Sequence, residues 1–180
     1  MKKMPSSEPP IPGKSLGKSM SIAAWISALL VLTLIFGDLE RNWLNPNREP
    51  QSLVTQEGVQ EVVLKANRQG HYVVSGSINE EKTEFLLDTG ATDVAISDNL
   101  ARRFGLRRGL KGTASTANGN VTVYATRINR LQIGSIILYD VPATIIPEMD
   151  DFVLLGMSAL RRVEFTQRDD QLTLRNYPDS

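Results

Sequence analysis

The chain has 180 residues and a mass of 19.9 kDa, room for one ordinary domain with appendages. Twenty Lys and Arg balance twenty Asp and Glu, so there is no basic excess to mark a polyanion-binding protein, and no nucleic-acid partner is expected. There is no Cys and one His, His71, which excludes disulfide frameworks, thiol nucleophiles and Cys-rich zinc sites; it also excludes the usual Ser-His-Asp triad unless another chain donates a His.

Residues 1–18 are rich in Pro, Ser, Gly and Lys, with almost nothing to bury, and are predicted to be a disordered cytoplasmic tail. Ser19 to Gly37 form nineteen residues without a charge, enough at about 1.5 Å per residue to cross a hydrocarbon core. The tail before this segment is net +3 and the chain after it net −3, which favours a cytoplasmic N-terminus and an exported C-terminal bulk. A cleaved signal peptide is the rival reading. Against it, the apolar run exceeds the usual signal core, and Ile35-Phe36-Gly37-Asp38 offers no small-x-small cleavage site. The segment 19–37 is therefore predicted to be an uncleaved transmembrane signal anchor. Residues 38–55 are polar and interrupted by Pro46 and Pro50, as in a juxtamembrane linker. Trp43 within it suits either the membrane interface or a seat in the domain.

From residue 56 to 177 the texture is of short β-rich runs between turn residues. Strands are expected over Val59–Ala66, Tyr72–Ile78, around Phe85-Leu86-Leu87 and at Val94-Ala95-Ile96. Turns are expected at Asn67–Gly70 and Asn79–Lys82. Ser97-Asp98 can cap a two-turn helix with Leu100 and Phe104 on one face and Gly105 as its stop. Asn118-Gly119 is a strong hairpin signal, because both central residues of a type I′ turn need positive φ. Extended segments follow at Val121–Leu131 and Ile136–Ile146. Then come Val153–Gly156, a short helix near Met157, and strands at Val163–Phe165 and Leu172–Leu174. The pattern indicates a mainly-β domain of barrel type with one or two short helices.

The chemistry points to Phe85-Leu86-Leu87-Asp88-Thr89-Gly90-Ala91-Thr92. An acid directly after three large apolar residues is expensive to bury without a purpose. Gly90 frees the backbone to turn and leaves room for a close neighbour, and Thr89 supplies a hydroxyl. Together with Gly70-His71-Tyr72, FLLDTGATDVAIS (Phe85 to Ser97), Thr116-Ala117-Asn118-Gly119 and LLGMSAL (Leu154 to Leu160), this segment resembles the retropepsin-like aspartic proteases, in particular their small membrane-anchored bacterial branch. The matching stretches keep the family's order and spacing. One departure is Glu80-Glu81, where such proteins often have Asn-Gly.

The resemblance implies a retropepsin-like closed β-barrel, behind a single N-terminal transmembrane helix, that hydrolyses peptide bonds with no metal or organic cofactor. It implies an inner-membrane protein with its catalytic domain in the periplasm. Aspartic protease chemistry needs two carboxylates sharing one proton, so that one acts as base and the other as acid on a water between them. No acidic residue other than Asp88 precedes Ser/Thr-Gly, so the second carboxylate must come from another copy in a twofold homodimer acting on polypeptide. Asp88 is then catalytic, with Thr89, Gly90 and Ala91 in support. Ala91 cannot donate a hydrogen bond to the carboxylate as a serine could, and activity is expected at milder pH than with serine there. Thr116, Ala117, Asn118 and Gly119 resemble a flap over the substrate. Gly156 is expected to be structural, letting the chain pass close behind the active-site loop.

Other residues carry less specific signals. His71 reads as an exposed strand-start residue. Arg102, Arg103, Arg107, Arg108 and Lys111 read as a solvated basic face near a helix end. Asp150-Asp151 and Asp169-Asp170 read as loop acids. Two further function classes stand beside the protease: a non-catalytic retropepsin-fold peptide-binding or assembly module, and a membrane scaffold with a chance Asp-Thr-Gly. The polar stretch 38–55 also suggests self-release by cleavage there.

Overall fold

The structure, a computed structural model, describes residues 14–116 and 119–177, with side chains over 20–34, 42–115 and 119–177. The chain divides into two units at Glu40. The first holds most of helix α1 (Lys14–Leu44). Lys14–Lys18, expected to be disordered, are helical; the rest of that tail lies outside the described residues. The uncharged segment 19–37 sits inside α1, and the side chains from Met20 to Leu34 are exposed. Among the described residues no helix is long and apolar enough to cross a membrane.

The second unit is mainly β. A four-stranded antiparallel sheet has the order β1 (Gln51–Val54), β2 (Gln60–Lys65), β11 (Gln171–Asn176), β10 (Glu164–Arg168). A seven-stranded sheet has the order β3 (Val73–Ile78), β4 (Glu81–Leu87), β9 (Val153–Leu155), β5 (Val94–Ser97), β8 (Ile136–Ile146), β7 (Gly119–Ile133), β6 (Lys111–Thr116). β3 also pairs with β7, Ser77 with Gln132 and Ile78 with Leu131, which bends this sheet back on its first strand. Gly76 permits that contact, since a Cβ there would stand 2.2 Å from the Gln132 carbonyl oxygen. The core fills with Val62, Leu64, Phe85, Ile96, Ile145, Leu155 and their neighbours, all essentially inaccessible to water. Each such side chain contributes roughly 1.5–3 kcal/mol on burial.

Helix α2 (Asp98–Arg103) follows the expected caps. Ser97 Oγ accepts from Leu100 N–H at 3.2 Å, Leu100 and Phe104 are buried, and Gly105 turns the chain at φ +69. The Ser97 hydroxyl also donates to Asp151 Oδ1 at 2.7 Å, so Asp151 is a brace for the cap and not a free loop acid. The turn expected at Asn79–Lys82 is shorter than that. β4 already begins at Glu81, so Asn79 (φ 47) and Glu80 (φ 73) alone make the first turn. Thr116 pairs with Gly119, so Gly119 opens β7, while Asn118 lies outside the described residues.

The stretch 38–55, expected to be a linker, is built into this unit from its middle onward. Pro46 does end the helical path, but the asparagines on either side take over its hydrogen bonding. Asn45 and Asn47 are 2% and 4% exposed. The Asn47 amide donates to the carbonyls of Lys65 (2.9 Å) and Val73 (2.7 Å) and accepts from Lys65 N–H (2.7 Å). Asn45 donates to Ser75 Oγ at 3.0 Å and to Glu84 Oε1 at 2.8 Å. Trp43 belongs to the domain side, with the Arg68 guanidinium 3.6 Å from its ring centroid.

Candidate active site

The position of Asp88 follows from strand order. β4 and β5 are consecutive in the chain but not adjacent, because β9 lies between them, parallel to β4 and antiparallel to β5. The loop from Asp88 to Asp93 must therefore cross the end of β9. Asp88 N–H extends the pairing by donating to Leu155 O at 3.1 Å. The loop then turns back on its own acid: Gly90 N–H donates to Asp88 Oδ1 at 2.8 Å and Ala91 N–H to Asp88 O at 3.3 Å. Such a turn, in which an Asp side chain captures the amide two residues on, fixes the carboxylate without a partner side chain.

The crossing is tight beneath the loop. A Cβ on Gly156 would lie 2.2 Å from Asp93 O and 2.7 Å from Ala91 O, both backbone atoms. Helix α3 (Met157–Leu160) starts directly after it and pins the loop, with Met157 N–H donating to Ala91 O (2.8 Å) and Ser158 N–H to Thr92 O (2.9 Å). The Ser158 hydroxyl accepts from Val94 N–H at 3.0 Å and donates to Pro142 O at 2.8 Å. Thr144 Oγ1 donates to Asp93 Oδ2 at 3.2 Å. The carboxylate of Asp88 is thus presented at the surface on a loop held from below at five backbone or side-chain points.

Asp88 and Ala91 are half-buried, and Thr89 and Gly90 are exposed. Thr89, Gly90, Ala91, Thr92, Met157 and Arg161 line a recess of about 260 Å3. A larger recess of about 1030 Å3, bordered by Pro46, Glu49, Lys82, Arg103 and Phe152, contains none of the loop residues. Of these two recesses, the smaller is lined by Thr89 and Gly90, the residues that follow Asp88 in the chain. Asp88 to Ala91 and Gly156 are thus brought together. Thr116 and Gly119 stand at the end of the β6–β7 hairpin, while Ala117 and Asn118 lie outside the described residues. Sequence reasoning does not single out Ser158, Asp93 or Arg161. The one signal for Ser158 is a small polar residue close behind a glycine at the mouth of a buried strand.

The basic cluster is mostly engaged. Asp98 pairs with Arg102 and with Arg108, whose guanidinium contacts Asp98 Oδ1 at 2.6 Å and lies 4.6 Å from the Tyr124 ring centroid. These partners, the Arg108 hydrogen bond above all, hold the Asp98 carboxyl below the usual aspartate range. His71 is exposed, with its backbone N–H on Asn67 Oδ1 at 3.0 Å. Among the described residues no cluster of three His, Cys, Asp or Glu side chains could hold a metal ion.

Residues 74–162, which contain the loop and its supports, match the family described as "gag-polyprotein putative aspartyl protease". An uncharacterised protein encoded in the cobV 5′ region of Sinorhizobium sp. is 31% identical over 170 residues, covering 86% of this chain and 72% of that protein. The uncharacterised protein RP867 of Rickettsia prowazekii is 30% identical over 122 residues, covering 66% of this chain and 52% of that protein. The crystal structure of a retropepsin-like aspartic protease from Rickettsia conorii superposes with a TM-score of 0.56 at 25% identity, over 71% of this chain and 94% of that one. The fold, the Asp-Thr-Gly loop and these matches agree: the chain has the retropepsin-like aspartic protease fold.

Proposed function

We propose that the protein is an endopeptidase that hydrolyses polypeptides with a water activated between Asp88 and Asp88 of a second copy. The carrying observation is the loop geometry: a partly exposed carboxylate with one oxygen held by Gly90 N–H, on a support too close-packed to yield. One such acid cannot be base and acid at once. Two of them on a twofold axis can, because repulsion leaves one proton shared: the ionised oxygen takes a proton from water, the water attacks the carbonyl carbon, and the protonated partner stabilises the oxyanion. The proton then passes to the leaving amine. Thr89, exposed beside the acid, is positioned to brace the partner's loop, and the β6–β7 hairpin to cover an extended substrate by strand addition.

The uncharged segment 19–37, flanked by lysines before it and a net negative chain after it, supports an inner-membrane anchor with the protease domain in the periplasm. A shared membrane plane raises the effective concentration of the two copies. The test is Asp88→Asn in the full-length protein, folded by circular dichroism, against a peptide library. Peptidase activity is expected to disappear along with binding of a transition-state mimic. Undiminished turnover would remove Asp88 from the mechanism, and mimic binding without turnover by the wild type would turn the reading to a peptide-binding module.

A further inference from the structure

Trp43 and Leu44 end helix α1, and their side chains are 38% and 53% exposed. They are nevertheless fixed in place. Asn67 Nδ2 donates to Leu44 O at 3.2 Å, which ties the end of the helix to the turn between β2 and β3. That turn is closed on itself. Asn67 Oδ1 accepts from Gln69 N–H (2.9 Å) and His71 N–H (3.0 Å), and Gly70 N–H donates to Asn67 O (3.0 Å). Asn47 clamps the chain on both sides of it, through the carbonyls of Lys65 and Val73. Trp43, Leu44 and the turn thus form one braced corner, on which Arg68 to His71 stand exposed.

The corner joins an apolar surface to an unanswered cation. The Arg68 guanidinium stacks on the Trp43 ring, 3.6 Å from its centroid. Stacking uses the flat face of the guanidinium and leaves its N–H fork free along the edge. Among the described residues no acceptor meets that fork and no acid pairs with it. An exposed indole beside an exposed leucine, topped by a cation with open donors, matches the layer where hydrocarbon gives way to phosphate.

Chain length brings such a layer within reach. Trp43 follows Gly37, the last residue of the uncharged segment, by six positions. Those span about 9 Å as helix and roughly 20 Å even when fully drawn out, and the headgroup layer is about 5–8 Å deep on each side of a bilayer. We infer that the corner of Trp43, Leu44 and the 67–71 turn is a docking surface for phospholipid headgroups. The indole and Leu44 sit at the apolar edge of the headgroup layer, and the Arg68 fork takes a lipid phosphate. This contact rests on the anchor reading of segment 19–37, and it holds the domain against the bilayer where a free tether would let it swing.

Two tryptophans and no cysteine make the contact and the anchor separately measurable in the full-length protein, reconstituted in nanodiscs containing phosphatidylglycerol. Trp25→Phe leaves Trp43 as the sole indole, and lipids spin-labelled at the headgroup should quench it more than lipids labelled at mid-chain. Trp43→Phe leaves Trp25, for which the opposite order is expected. Gln69→Cys carrying a polarity-sensitive fluorophore reports the turn, which uses the Gln69 N–H and not its side chain. Its emission should shift to the blue in the bilayer. Arg68→Ala should lower the fraction in contact roughly fivefold, with Arg68→Lys recovering part of the loss. Trp25 quenched from mid-chain while the Gln69 probe stays in water overturns the docking surface and leaves the anchor standing. Trp25 quenched by neither label removes the anchor and the contact with it. A blue shift that survives Arg68→Ala undiminished also overturns the surface, because the phosphate contact is then not what holds it.

Discussion

Replacing Asn47 with alanine should destabilise the domain severely, although the residue precedes the family match, which begins at residue 74, and stands in a stretch that reads as linker. Its side chain is 4% exposed and makes three hydrogen bonds to the backbone of Lys65 and Val73. Alanine removes all three and leaves the Lys65 N–H and two carbonyls short of a partner where water has little access. At about 1 kcal/mol net per bond, and up to about 3 for a buried group left unsatisfied, the loss is roughly 3–5 kcal/mol. That is a large share of the ~5–15 kcal/mol that holds a typical domain together. Asn47→Asp should be worse at neutral pH, because it keeps the acceptor for Lys65 N–H but turns a carboxylate toward two carbonyl oxygens. Urea melts at constant m-value measure both. An Asn47→Ala protein within about 1 kcal/mol of wild type would mean that the clip adds nothing to stability.

Gly156→Ala should abolish peptidase activity with modest change in the far-ultraviolet spectrum, because a Cβ 2.2 Å from Asp93 O forces the Asp88 loop off β9; activity near the wild-type level refutes the close crossing. Stability should also depend on Asp98. Its folded-state carboxyl lies below the ordinary value because of Arg108 and Arg102, so its contribution is complete above the unfolded value and lost as pH falls through the folded one. Arg108→Ala should flatten the acid side of the stability profile, and an unchanged slope in denaturant melts across that range counts against the pair.

The parts of the fold set by neighbours in sequence were legible. Ser97, Leu100, Phe104 and Gly105 announce a capped helix because a cap, one turn of apolar spacing and a glycine stop act within ten residues. The Asp-Thr-Gly loop was legible because a charge after three apolar residues has few inexpensive explanations. What escaped were the relations between distant segments. Nothing local says that β9 slips between β4 and β5, although that insertion is what makes Gly156 indispensable. Asp151 looked like a loop acid because its partner, Ser97, is far away in the chain. Asn45 and Asn47 looked like linker because buried amides and solvated amides have the same letters; only their partners in β2, β3 and β4 tell them apart.

Those two asparagines also relocate the question of self-release. A protease cuts extended backbone whose hydrogen-bonding groups are free to join the cleft. At Asn47 and along one side of Gln51–Val54 they are engaged: Asn47 N–H is held by Asn45 Oδ1 at 2.9 Å, Asn47 O accepts from Ser75 N–H at 3.1 Å, and Gln51–Val54 are paired with β2. Upstream the backbone is helical to Leu44. Cleavage within 38–55 would first require unwinding the helix or tearing a strand and two buried amides out of the domain, and a domain cut downstream of Asn47 would lose the clip that stabilises it. Full-length wild type and Asp88→Asn should therefore show the same N-terminus by mass spectrometry. A shortened species that starts between Asn45 and Thr55, appears only with Asp88 intact and melts like the uncut protein would show that this segment is dispensable and within reach of the dyad.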